Sequence, residues 1–156
     1  MVHRYFEGVL PAAGEYTDAD LQVQRIAAAA VADADAAIEK VAIHDAIGAI
    51  WTLVDELNNY ITVQEPWVLA KDEATRDRLA TVLNTTVEGL RVLAVLLNPI
   101  TPKATAKLWS AIGVSLGSID EQHTADAGNW GQFTAGAAIG ELEALFPRIE
   151  TTEEAK

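Results

Sequence analysis

Trp67 follows Pro66 directly, and this pair holds the most informative chemistry in the chain of 156 residues. Tryptophan occurs only at positions 51, 67, 109 and 130. An indole in a connection between helices offers a flat face on which an unpaired nucleobase stacks. The same ring can equally be a core plug, because large aromatic side chains bury well. Residue type and position leave both readings open. Lys71, Arg76 and Arg78 add some positive charge close by. Asp72 stands four residues before Arg76, so simple surface solvation with helical charge support accounts for them too. Arg4 is the one arginine or lysine of the opening stretch Met1–Gly8 and by itself reads as a solvent-facing arginine.

Other chemistries find no convergent set. His3, His44 and His123 are far apart, and no H-E-x-x-H occurs. Ser110, Ser115 and Ser118 stand in no nucleophile elbow. Neither a phosphate loop nor a dinucleotide fingerprint is present. The chain has no Cys, which excludes disulfides, thiolate nucleophiles and Cys-based zinc sites. Acid pairs such as Asp33 with Asp35, or Asp55 with Glu56, fit solvated helix faces better than metal sites. Gly136 and Gly140 have G-x-x-x-G spacing, but it carries little meaning outside an apolar membrane segment. No catalytic residue and no metal are expected.

The totals set a further limit. Eleven basic residues against 23 acidic ones give a net charge of -12. That is the wrong sign for a protein whose affinity rests on phosphate contacts. It argues against non-specific binding of nucleic acid or anionic membrane. The N-terminus has no secretory signal. The longest apolar run, Ile26–Ala32, falls far short of the ~20 residues that span a bilayer. A soluble cytoplasmic protein without a membrane partner is expected.

The elements that must position Trp67 are helical. Half of the residues are hydrophobic while only 6% are aromatic, and Ala is abundant; Ala loses no side-chain entropy in a helix. A short opening helix stops near Gly8, and Pro11 and Gly14 mark a loop. Thr17 caps a second helix with Asp18 and Asp20 in its first turn. Its stripe is Val23, Ile26, Ala27, Ala30, Ala34, Ala37 and Ile38, and its end is expected around Asp33–Asp35. A third helix runs from about Ala42 to Val63 on the stripe Ile43, Ile47, Ile50, Val54, Leu57 and Ile61. Pro66 disfavours a helical conformation at Glu65 and breaks the pattern. Asp72 caps a fourth, long helix whose inner stripe is Leu79, Leu83, Thr86, Leu90, Leu93 and Leu97. Asn98–Pro99 ends it. Thr101–Pro102 starts a short helix that ends at Gly113. From about 113 the chain is irregular, with Trp130 and Phe133 as anchors on the bundle. Leu145–Ile149 reads as an extended apolar segment, and 151–156 as a loose terminus. The fold class is all-α, a helical bundle over residues 1–150 without a second domain.

The run Asn58-Asn59-Tyr60-Ile61-Thr62-Val63-Gln64-Glu65-Pro66-Trp67-Val68-Leu69-Ala70-Lys71 resembles the anticodon-facing segment of methionyl-tRNA synthetases. Val2–Pro11 is similar to the end of that family's first anticodon-domain helix, Leu97–Pro102 to its helix break, and Leu145–Glu150 to its closing segment. Together these stretches frame nearly the whole chain. The resemblance implies a bundle of the class I aminoacyl-tRNA synthetase type that reads the CAU anticodon of methionine-specific tRNA. It implies that Trp67 stacks on the first anticodon base, that Pro66 shapes the turn presenting it, and that Arg4 faces the anticodon. The family also uses an Asn and an Arg one and two turns earlier on its first helix, and this chain begins just after them. A truncated chain is therefore expected, with the catalytic domain upstream. That missing part uses ATP with magnesium, so no cofactor and no aminoacylation are expected on this chain. The implied partners are the anticodon loop of methionine-specific tRNA and the catalytic domain of the same enzyme. Weak tRNA binding by the chain alone is expected. The competing reading is an acidic helical protein-interaction or structural domain without RNA binding, for which Leu145-Phe146-Pro147 would be a docking strip.

Overall fold

A computed structural model describes residues 1–113, 116–133, 135–141 and 144–147. The expected loose terminus at 151–156, and the Arg148–Ile149 part of the apolar segment, lie outside the described residues. The helices are α1 (Val2–Phe6), α2 (Asp18–Glu39), α3 (Ile43–Gln64), α4 (Pro66–Leu69), α5 (Arg76–Leu97), α6 (Pro102–Ala111) and α7 (Thr124–Ala127). Single 3-10 turns lie at Glu73–Thr75 and Ile119–Glu121. Helices α2, α3 and α5 contact one another, and α6 packs on α5.

Helix α2 runs on past Asp33–Asp35 to Glu39, because its alanine face continues. Ala27, Ala30, Ala34 and Ala37 are buried with Val23 and Val31. Their small side chains let α3 approach closely. Ile38, expected in that stripe, is 52% exposed. The face of α3 is also rotated from expectation. Its buried line is Ala46, Ile50, Leu53, Leu57 and Tyr60. Ile47, Val54 and Ile61 are only half-buried, and Ile43 is exposed. Two apolar stripes share Ile50 and Leu57, and Tyr60 decides between them by reaching a buried polar partner.

Helix α5 has no outer face over most of its length. Fifteen of its residues are buried, Thr81, Thr85, Glu88 and Arg91 among them. A helix enclosed on all sides is the core element of a bundle. The expected stripe is part of this: Leu79, Leu83 and Leu93 are buried, whereas Thr86, Leu90 and Leu97 are half-buried. By length and composition Glu73–Leu97 could cross a membrane, but 89% of its most apolar window is buried inside the protein. Gly89 brings α3 and α5 together, since a Cβ there would lie 2.6 Å from Leu57.

Past Gly113 the described chain turns back over the bundle. Arg91 and Glu88 hold it at mid-helix. The Arg91 guanidinium pairs with Glu88 at 2.8 Å and donates to the carbonyls of Ala127 and Asn129. Glu88 accepts from the backbone N–H groups of Gly131 and Gln132. Trp130 and Phe133 pack half-buried against the core, as anchors should. The tail then pairs with the α1–α2 loop: the Leu10 N–H donates to Ala137, and the Ile139 N–H donates to Gly8.

Candidate nucleic-acid interface

The turn that carries Trp67 is built by one sharp reversal. Right-handed backbone at Glu65 would clash with the Pro66 ring. Glu65 instead adopts φ 44°, ψ 58°, in the left-handed region, and closes α3 by donating to the Ile61 carbonyl. Pro66 then begins α4, where its missing N–H is no loss. Pro66 is buried and Trp67 is 43% exposed. This decides part of the ambiguity left by residue type, because a ring so exposed is not a core plug. The turn is tied down behind the indole. The Val68 N–H donates to Glu65 at 2.7 Å, and the Thr75 hydroxyl donates to the Leu69 carbonyl at 2.7 Å. Asp72 caps the 3-10 turn rather than α5 itself, accepting from the Ala74 N–H.

Arg4 and this turn meet at one polar hollow of about 180 Å³, lined among others by Arg4, Leu69, Asp72 and Arg76. Arg76 bridges its two walls. Its guanidinium lies 4.8 Å from the centre of the Phe6 ring, and its Nη2 donates to the Tyr5 carbonyl at the end of α1. Its ion-pair partner is Glu73, not Asp72.

Behind the turn lies a polar cluster that residue spacing did not reveal. Asp20 stands in the first turn of α2, as expected, and is fully buried there. Its carboxylate accepts from the Thr17 N–H and hydroxyl, from the Tyr60 hydroxyl, and from Arg78 at 2.5 Å. Arg78 also donates to the Gln64 side-chain oxygen at 2.7 Å. Arg78 is therefore no solvated surface charge. Asp20 and Arg78 are 58 positions apart, and nothing local marks either as a partner. The Glu88–Arg91 pair had a fainter signal: two charges at i,i+3 inside an apolar helix.

Burial pushes the Asp20 carboxyl up, yet hydrogen bonds from Arg78, Tyr60 and Thr17 hold it below its ordinary 3.8. Burial, then the hydrogen bond and the negative charge of Asp20, push the Tyr60 phenol well above its ordinary 10.0. The two shifts act on stability with opposite signs. Asp20 releases its proton more readily when folded, so its contribution is present above 3.8 and is lost as pH falls through the folded value. Tyr60 keeps its proton more tightly when folded, so its contribution is full below 10.0 and is lost as pH rises beyond it. Urea midpoints measured against pH should therefore fall at both extremes. Replacing Tyr60 by Phe should flatten the alkaline fall, and an unchanged fall in that variant would remove Tyr60 as its source.

His3 is 3.0 Å from the Gly140 carbonyl, while His44 and His123 are exposed. Among the described residues no group of three or more His, Cys, Asp or Glu could hold a metal ion.

Residues 10–156 match the family model described as the anticodon binding domain of methionyl tRNA ligase. The chain is 45% identical over 155 residues to a methionine–tRNA ligase of Streptomyces coelicolor, covering 96% of this chain and 29% of that protein. It is 32% identical to the methionine–tRNA ligase of Caldanaerobacter subterraneus subsp. tengcongensis, covering 99% of this chain and 24% of that protein. The chain thus spans 24–29% of the length of these relatives. The crystal structure of the apo form of Mycobacterium tuberculosis methionyl-tRNA synthetase superposes with a TM-score of 0.86 at 31% identity, covering 97% of this chain and 30% of that one. A match over nearly all of the chain, agreeing in sequence and in fold, settles its family: the chain belongs to the anticodon-binding domains of methionyl-tRNA ligases, as an all-α helical bundle matched to a non-catalytic part of those enzymes.

Proposed function

We propose that this domain reads the CAU anticodon of methionine-specific tRNA for a cytoplasmic enzyme that charges that tRNA. Trp67 provides the stacking face for the first anticodon base, Pro66 fixes the turn, and Arg4 faces the anticodon across the polar hollow. The single observation that carries this reading is the exposed indole on a turn tied down behind it. The catalytic part of such an enzyme would supply ATP-dependent chemistry with magnesium. Exposed Phe146, at 74%, favours a further contact with that catalytic part along Leu145-Phe146-Pro147.

Titrating a labelled CAU anticodon stem-loop with the full ligase, followed by fluorescence anisotropy, tests the assignment. A loop with the first anticodon base changed is the control. Trp67→Ala should weaken CAU binding by about 1–3 kcal/mol, the ordinary worth of a base stacked on an aromatic ring. Equal binding of both loops by the unaltered enzyme would refute the anticodon reading and leave a protein-interaction domain as the better account.

A further inference from the structure

We propose that Gln64 and Arg78, locked on the buried pair Asp20 and Tyr60, form a clamp that sets the direction of the Trp67 indole and so acts as a positioning device for anticodon selectivity. The inference rests on the reading of Trp67 as a base platform and extends it to residues that touch no base.

The bonds of the Val68 N–H and the Thr75 hydroxyl tie the turn to itself and leave its direction to the elements it joins. Trp67 and Val68 are both exposed at 43% and 44%, so neither side chain is held by enclosure. Pro66 alone is buried, and it anchors one point without fixing an orientation. The direction of the indole therefore follows from where α3 stops and where α5 starts. Gln64 is the last residue of α3, and Arg78 lies in the first turn of α5. Their hydrogen bond of 2.7 Å closes a loop whose interior is residues 65–77, with the whole turn inside it. The same guanidinium reaches Asp20 in the first turn of α2 at 2.5 Å, and Tyr60, one turn before Gln64, donates to that carboxylate as well. Three helix ends thus meet on one planar fork. Arginine suits this place because its rigid donors serve two acceptors at once, whereas a lysine ammonium is a point charge on a flexible stem.

Glutamine at 64 separates positioning from stability. It is half-buried, and its tie to Arg78 is a single hydrogen bond, while the Asp20–Arg78 pair would remain without it. In the full ligase, Gln64→Ala should lower the preference for the CAU stem-loop over the first-base-changed loop by about tenfold, within the range of a lost base stack. Its thermal midpoint should stay close to that of the unaltered enzyme. Gln64→Glu keeps an acceptor for Arg78 and should restore the preference. Arg78→Lys should keep the Asp20 ion pair and still lose selectivity. Trp67→Ala, run in parallel, keeps the two ideas apart. If it abolishes the preference while Gln64→Ala and Arg78→Lys keep it in full, the clamp is overturned and the platform stands. If Trp67→Ala itself keeps the preference, the platform reading falls and takes the clamp with it.

Discussion

Replacing Arg91 by Met is expected to lower the unfolding free energy by about 3–5 kcal/mol, the usual result of leaving one member of a buried ion pair without its partner. Arg91 and Glu88 are each only 1% exposed. The substitution strands the Glu88 carboxylate in the core and also deprives the carbonyls of Ala127 and Asn129 of their donor. Urea unfolding followed by circular dichroism measures the loss. A double change of Glu88 to Leu and Arg91 to Met should recover part of it, because no unpaired charge is then buried. Recovery should stay incomplete, since the N–H groups of Gly131 and Gln132 lose their acceptor. A single variant as stable as the parent would show that the pair contributes nothing net.

The second large effect is expected at Gly113. Its φ of 71° lies in the left-handed region, and a Cβ there would stand 2.1 Å from the Ala138 carbonyl oxygen. Both partners are backbone, so no flexible side chain can yield. Gly113→Ala combines about 1–2 kcal/mol for the left-handed conformation with about 1–3 kcal/mol for overpacking. The loss should concentrate where the tail crosses the bundle. Amide exchange should therefore speed up most at Leu10 and Ile139, whose N–H groups donate across that junction. A uniform loss of protection would contradict this placement.

These two sites lie at opposite ends of what the residues disclosed. The stop at Gly113 followed from Thr101–Pro102 opening a short helix and a glycine closing it, because caps are local signals. The helical stretches of α3 and α5 were legible for the same reason, through their stripes and their flanking prolines. The rotation of α3 was not, because its two possible faces are nearly equally apolar and the deciding contact comes from Tyr60 meeting Asp20 forty positions away. The enclosure of α5 was missed because a one-sided stripe is the ordinary pattern, and Thr81, Thr85, Glu88 and Arg91 disguise a core helix as an amphipathic one. At the candidate site, Pro66 and Trp67 stood out by type. The resemblance to known synthetases implies the roles proposed for them, and the structure adds the exposure of the ring. The cluster behind them could not be read, since buried polar partners obey no spacing rule.

The charges around the exposed indole have a consequence for how such a surface would meet RNA. Around the turn, Arg4, Lys71 and Arg76 are exposed, and so are Glu65, Asp72 and Glu73. Acids match bases in number on this face, so it holds few phosphates and displaces few of the cations that sheath a nucleic acid. Each neutralised phosphate of a single strand contributes roughly 0.7 to the slope of log affinity on log salt. A contact made chiefly by Trp67 would therefore be nearly indifferent to ionic strength. On the proposed function, such a surface would work as a discriminator rather than an anchor: it would add preference among loops already held elsewhere and would not gather RNA indiscriminately.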